Sequence, residues 1–331
     1  MKVLKKCFVK YKNKVLLNNI YKVKYIMNIG IFGVGSFGEK HINVIKNIEE
    51  FNIIGFYDPN PLRCAKIAKN HNIKAFSSEL DLINNCDAID IVSSTETHYK
   101  LIKLGIKHKK HIFVEKPICC TEDEIAKLLI QHKTYKQVIQ VGHIERYNPA
   151  INIDVIDTKN ITGIHAKRTG IINARNKDNS IVLDLMIHDI DLIVQMIDSQ
   201  IKSINTIKQT SDTSESITTN IIFENDKKAQ LIAKRGVEIE NNREMIIQLI
   251  NKDIKIDFLN RTQKHTIQGM KPETFKLDKS INPLKMELLE FYHNITTKKE
   301  PIVGVKEACK AVNIALKIEQ VARSNHHQDE L

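Results

Sequence analysis

The chain has 331 residues, 42% hydrophobic, 27% charged and 6% aromatic with no Trp, enough to bury a sizeable core and to make two domains. No uninterrupted apolar run approaches the roughly 18 residues that a membrane span needs. The net charge of +11 suggests a polyanionic partner until it is located: residues 1–26 carry eight lysines and no acid, and residues 27–331 set 42 basic against 39 acidic side chains, so a nucleic-acid surface on the body is not indicated.

In chain order, residues 1–26 come first. They lack the compact apolar stretch and small-residue cleavage site of a signal peptide, and they contain no arginine. They are read as a basic extension outside the fold, with Met27 directly before the first strand. From 27 to about 145 short apolar runs alternate with helical spacing. Strands are expected at 28–34, 52–57, 88–94, 111–116 and 137–142, and helices at 36–49, 61–71, 97–109 and 122–133. Such alternation predicts a doubly wound parallel sheet. After about 150 one helix is expected at 181–197. Strands follow at 201–208, 216–223, 228–235, 244–250 and 253–258, and helices at 283–297 and 304–323. Connections as short as 224–227 and 251–253 predict hairpins, hence an antiparallel sheet. The expected division is 1–26 extension, 27–145 nucleotide domain, 146–325 substrate and oligomerisation domain, and 326–331 tail. The six cysteines form no Cys-x-x-Cys pair and no zinc-spaced cluster, so no metal is expected and a reducing, cytoplasmic compartment fits. The terminal QDEL is read as chance.

Two segments carry chemistry. In GIFGVGSFGEKH (30–41), Gly33, Gly35 and Gly38 have G-x-G-x-x-G spacing between a strand and a helix. Gly33 permits a tight turn, Gly35 lets the backbone approach a pyrophosphate, and Gly38 lets helix and strand pack closely. The helix N-terminus, at Ser36 and Phe37, offers N–H groups to phosphate. Asp58 ends the next strand twenty residues later, where an acid binds adenosine ribose hydroxyls and disfavours a 2′-phosphate. NAD is therefore expected over NADP, with Arg63 nearby as the opposing feature. The second segment is LDLMIHDIDLI (183–193), an apolar helix holding three aspartates and a histidine. At about 100° per residue, Asp184, His188 and Asp191 fall within roughly 60° of one another, and Asp189 points elsewhere. Ionisable side chains in so apolar a helix are paired or functional.

GVGSFGEKH, STETHYKLIKLGIKHKKHIFVEKP and LDLMIHDID, in this order and spacing, resemble the glucose–fructose oxidoreductase / inositol dehydrogenase (Gfo/Idh/MocA) family over roughly 27–325. The resemblance implies a Rossmann domain followed by a large, open, mostly antiparallel sheet that serves homodimer or homotetramer formation. It implies hydride transfer between a nicotinamide and a secondary alcohol of a sugar or cyclitol. Carried over, Lys116 of Glu115-Lys116-Pro117 positions or deprotonates the reacting hydroxyl, and His188 is a general acid/base. Asp184 orients His188 or binds a hydroxyl. Whether Lys116 or His188 accepts the proton stays open. Ser94, Thr95 and His98 are implied cofactor contacts, and Glu115 a contact to the nicotinamide side. Glu96 stands where the family often has proline.

VGHIERYNPA (141–150) and VLDLMIHDIDLI (182–193) resemble a narrower branch that oxidises UDP-linked N-acetylamino sugars to 3-keto sugars for lipid A or surface polysaccharide. Arg146, Arg168 and Arg175 are candidates for an anionic substrate, because the guanidinium fork suits diphosphate or carboxylate. Tyr147 and Asn148 are candidates for the same cleft. The alternatives are an inositol or free-sugar dehydrogenase and a non-catalytic, nucleotide-responsive regulator. The regulator is disfavoured because Lys116, Asp184 and His188 are all retained.

Overall fold

The structure, a computed structural model, describes residues 25–153, 156–172 and 179–326. Most of the basic extension, the 327–331 tail, Cys7 and Arg175 lie outside the described residues.

The first layer is a five-stranded parallel sheet. β1 (Met27–Phe32), β2 (Phe51–Tyr57), β3 (Ala88–Ile91), β4 (His111–Glu115) and β5 (Ile139–Gly142) stand in the order β2-β1-β3-β4-β5. Four connecting helices are α1 (Ser36–Ile45), α2 (Pro61–His71), α4 (Thr95–Lys107) and α5 (Glu122–His132), as the sequence pattern predicts. A short α3 (Glu79–Asn84), capped by Ser78, falls below the length at which periodicity is legible. The strand order reverses direction between β1 and β3, so the crevice at their carboxyl ends is the switch point where open α/β sheets bind ligands.

The second sheet has eight strands: β6 (Ile161–Ile171), β7 (Ile201–Thr210), β8 (Ser214–Phe223), β9 (Lys228–Gly236), β10 (Asn242–Leu249), β11 (Lys252–Asp257), β12 (Thr262–Ile267) and β13 (Glu273–Lys276). Their order is β13-β12-β11-β10-β6-β9-β8-β7. All pairs are antiparallel except β6 with β9. The sequence pattern misses β6, β12 and β13. β6 reads ITGIHAKRTGI; its two glycines and the polar stretch KRT interrupt the β-branched and aromatic run that marks a strand, although it is the strand beside the site.

Three helices join the layers. α6 (Ile187–Met196) and α8 (Val305–His326) pack on the inner face of the second sheet. α7 (Pro283–Thr297), though late in the chain, lays Leu284, Leu288 and Phe291 against Met27, Ile29, Ile42, Phe51 and Phe113 of the Rossmann layer. The sequential division at 145 therefore needs this addition: residues 283–297 complete the first layer. No helix among the described residues is long and apolar enough to cross a membrane.

Candidate active site

The glycine loop follows β1. Gly33 has φ +87°, and a Cβ there would lie 2.6 Å from the Ser93 Cα, so the turn admits only glycine. A Cβ on Gly38 would lie 2.1 Å from the Gly33 carbonyl oxygen, which is the close helix–strand approach. Gly35 differs: a Cβ there would meet nothing within 4 Å. Its bareness serves no internal packing and suits the approach of a pyrophosphate to the N-terminus of α1, where Ser36 is exposed and Phe37 half-buried. Ser94 and Thr95 start α4 directly after Ser93, whose backbone lies against Gly33. The cradle fits a dinucleotide.

Asp58 has a second duty that spacing alone does not reveal. Its carboxylate accepts from the Val34 N–H at 2.9 Å, pinning the glycine loop, and from the Asn60 N–H at 2.9 Å. It also pairs with Arg63 at 3.0 Å. The Asp58 side chain is 2% exposed and Arg63 45%, so the guanidinium covers the carboxylate that is expected to meet the ribose.

Two expected cofactor contacts are placed differently. His98 is buried, with Nδ1 2.8 Å from the Pro117 carbonyl and Nε2 3.1 Å from the Ser93 carbonyl. The ring ties the loop after β3 to the turn that carries Lys116, and no edge of it remains for a cofactor. Glu115 points into the Rossmann layer, its Oε1 3.2 Å from His41 Nε2. A Cβ on Gly142 would lie 2.6 Å from the same oxygen, so the carboxylate lies flat on the end of β5. His41 Nδ1 is 2.9 Å from Asp90 Oδ2. Burial alone would lower the His41 pKa, but Asp90 and Glu115 outweigh it and hold it raised, to about 10. Residues on either side of a strand end face opposite ways, so Glu115 and Lys116 part company here.

Lys116 turns toward the second domain. Its Nζ donates to the Asp184 carbonyl oxygen at 2.7 Å and to Oδ1 at 3.3 Å. Burial lowers the Lys116 pKa, opposed by Asp184 and Glu115. Asp184 sits in a π-turn, Val182–Met186, in which the Ile187 N–H bonds to the Val182 carbonyl five residues back. The turn is started by Ser180, whose hydroxyl accepts from the N–H groups of Val182 and Leu183 at 3.1 Å each. The extra residue breaks the 100° phase, and π-turns recur at functional sites. Asp184 accordingly holds Lys116 instead of orienting His188.

His188 is half-buried, and its Nδ1 has no hydrogen-bond partner among the described residues. Burial holds its pKa well below 6.5, helped by Lys116, Arg168, His143 and Arg243. Asp191 leaves the stripe: it takes the Arg146 fork at 2.5 and 2.9 Å. Asp189 accepts from Arg168 at 2.9 and 3.1 Å, and the other arm of Arg168 reaches Glu145 at 2.9 Å.

These pairs revise the expected substrate contacts. Arg168 and Arg146 are 2% and 4% exposed, with their forks on internal carboxylates. The Tyr147 hydroxyl donates to Glu290. The Asn148 amide donates to Glu145 and lies 3.4 Å from the Phe258 carbonyl, while its oxygen accepts from the Ala150 N–H. All four therefore brace the wall of the cleft from behind. A guanidinium buried among carboxylates and one facing an anionic ligand look identical in sequence.

The sequence reading also passes over four residues. Arg235, on β9, is 2% exposed; it bonds Glu215 and the Asn179 carbonyl, and its Nη1 stands 3.9 Å from Asp184 Oδ2. His143 is buried with its Nδ1 3.7 Å from Asp191 Oδ2. Glu145 and Arg243 complete the group. The ionisable residues of VGHIER are the one signal that could have found His143 and Glu145.

Residues 27–143 match the family model for the GFO/IDH/MocA oxidoreductase family, NAD-binding Rossmann fold. The chain is 28% identical over 239 residues to UDP-N-acetylglucosamine 3-dehydrogenase of Acidithiobacillus ferrooxidans, covering 71% of this chain and 75% of that protein. A solved structure of that enzyme superposes with a TM-score of 0.84 at 25% identity, covering 90% of this chain and 98% of that one. Myo-inositol 2-dehydrogenase of Thermotoga maritima is 24% identical over 193 residues, covering 54% of this chain and 57% of that protein.

Proposed function

The chain carries, at residues 27–143, the NAD-binding Rossmann domain of the Gfo/Idh/MocA oxidoreductase family, and on that premise we propose that it oxidises a secondary alcohol at C3 of a UDP-N-acetylamino sugar to the 3-keto sugar. The observation that carries the reading is that Lys116, just past the carboxyl end of β4, bonds Asp184, four residues before His188. The likeness to the UDP-N-acetylglucosamine enzyme supports the substrate.

Gly35, Ser36, Phe37, Ser94 and Thr95 would hold the dinucleotide, with Asp58 at the ribose once Arg63 swings aside. An acid at that position supports NAD over NADP. When bound, the nicotinamide accepts the hydride. The chain's own groups handle the proton. Asp184 fixes the Lys116 ammonium, which donates to the reacting oxygen and stabilises its developing negative charge. His188, kept neutral by burial and by the cations around it, accepts the hydroxyl proton. Lys116 is thus the positioning donor and His188 the base. The resulting 3-keto sugar suits transamination toward lipid A or surface polysaccharide. The open outer face of the eight-stranded sheet, with Ile207 59% exposed, supports a homodimer or homotetramer.

A panel of UDP-sugars, free sugars and inositols, followed by NADH absorbance, tests the reading. Turnover of a UDP-N-acetylamino sugar with formation of a 3-keto product is expected. Turnover of inositol or glucose and of no UDP-sugar would overturn it in favour of the cyclitol reading that the inositol dehydrogenase relatives support.

A further inference from the structure

The geometry points to Arg243 as the group that receives the diphosphate of the substrate, in place of Arg146 and Arg168. This rests on the UDP-sugar reading and adds the recognition element that it lacks. Arg243 stands on β10 directly opposite Arg168 of β6, on the inward face shared with Met245 and Ile247. Its Nη1 lies 3.4 Å from Glu145 Oε1, an oxygen that Arg168 already holds at 2.9 Å. One carboxylate is thus divided between two guanidinium groups, and Arg243 has the longer and weaker share.

Exposure separates the cleft's arginines further. Arg243 is 45% exposed, against 4% for Arg146 and 2% each for Arg168 and Arg235. Arg146, Arg168 and Arg235 each have a short carboxylate partner. An incoming anion would have to displace an internal carboxylate to reach any of them, leaving that carboxylate buried and unpaired. At Arg243 it displaces only solvent and one long contact. Through Glu145 and Arg168, Arg243 is joined by a chain of contacts to Asp189, the residue that follows His188 on α6.

Substrate geometry agrees with this placement. The reacting C3 of the sugar belongs at Lys116 and His188. The diphosphate hangs from C1, two bonds away around the ring, and must leave the cleft toward solvent. A half-exposed guanidinium on the inward face of β10, joined to α6 through Glu145 and Arg168, suits such a group, and its fork matches adjacent phosphate oxygens.

The test uses the full-length protein saturated with NADH, which fills the glycine-loop cradle, and calorimetric titration with UDP, uridine and inorganic pyrophosphate, with turnover of the UDP-sugar measured alongside. Arg243→Gln should weaken UDP and pyrophosphate by about 10- to 100-fold, the range of one charge-assisted contact, and leave uridine and NAD binding near wild type. For the UDP-sugar the loss should fall mainly on KM. Arg243→Lys should recover part of it, which guards against a folding defect in the Gln variant. Equal UDP and pyrophosphate affinities in wild type and Arg243→Gln would overturn the assignment while leaving the UDP-sugar reading intact. If wild type turns over no UDP-sugar, that reading falls, and the pyrophosphate titration alone judges Arg243: binding that is lost in Arg243→Gln upholds an anion site there, and any other result overturns it.

Discussion

The two sides of the proposed site are built by opposite means. The cofactor wall is backbone: a glycine loop, a helix N-terminus and bare space over Gly35, with one carboxylate, Asp58, tying the loop down. The substrate wall is side chain: Arg146 on Asp191, Arg168 between Glu145 and Asp189, Arg235 on Glu215, and Lys116 on Asp184. On the first wall the surface presented is main chain, so a substitution there acts through shape. On the second, each charge is held by another, so removing one strands its partner away from water.

The sharpest way to break the comparison is Lys116→Ala. It should cut turnover by about a thousandfold or more, the scale of losing a positioned proton-transfer or oxyanion group. NADH binding, read by fluorescence titration, should stay near wild type, because Lys116 bonds Asp184 and belongs to the substrate wall. Retained activity would remove Lys116 from the site.

Arg168→Leu comes next. It leaves Glu145 and Asp189 buried, and should cost about 3–5 kcal/mol in urea unfolding, the usual scale for breaking a buried pair from one side. Arg243→Gln, half-exposed, should cost far less in the same measurement. Equal losses would mean that both arginines are structural.

On the cofactor wall, Gly35→Ala should leave the thermal midpoint unchanged, since its Cβ meets nothing, and raise the KM for NAD by about tenfold, roughly one lost backbone contact. Gly33→Ala, with φ +87° and a Cβ against Ser93, should instead lower the midpoint. The contrast separates a glycine needed by the ligand from one needed by the fold.

The smallest effects are in pH. Burial lowers the pKa of His98, His143 and His188, so the fold keeps them neutral where the unfolded chain binds protons. Stability should therefore fall as pH drops below about 6.5. His41 acts the other way: raised to about 10, its contribution is complete below the unfolded value and is lost as pH rises through 10. In kcat/KM, the acid limb should lie below 6.5, from His188, and the alkaline limb below 10.5, from Lys116. A His188→Gln variant that keeps the acid limb would move the base elsewhere.

Expectation and structure part along the same line as the two walls. The strand–glycine–helix start of the Rossmann layer, the five parallel strands and the helix spans 61–71 and 283–297 were legible from spacing. So was the gathering of ionisable groups in LDLMIHDIDLI. Its assumed α phase was not correct, because a π-turn depends on what Lys116 and Ser180 offer its backbone. Arg168 shows the limit plainly. Its residue type announces a carboxylate or phosphate partner, but whether that partner is Asp189, 21 positions away, or a ligand is settled only when β6 and α6 meet.

By itself, then, the sequence determined what short-range physics controls: most of the strand and helix segments, where a backbone must be bare, and which ionisable side chains stand in apolar surroundings. The tertiary structure decided their partners. It turned Glu115 inward to His41 and Lys116 outward to Asp184, closed Asp58 and His98 onto neighbouring loops, and left Arg243 half-exposed with one long carboxylate contact. Charge pairing acts across any separation in the chain and falls off within a few ångströms in space, so only the folded molecule shows which of these groups still have donors to offer.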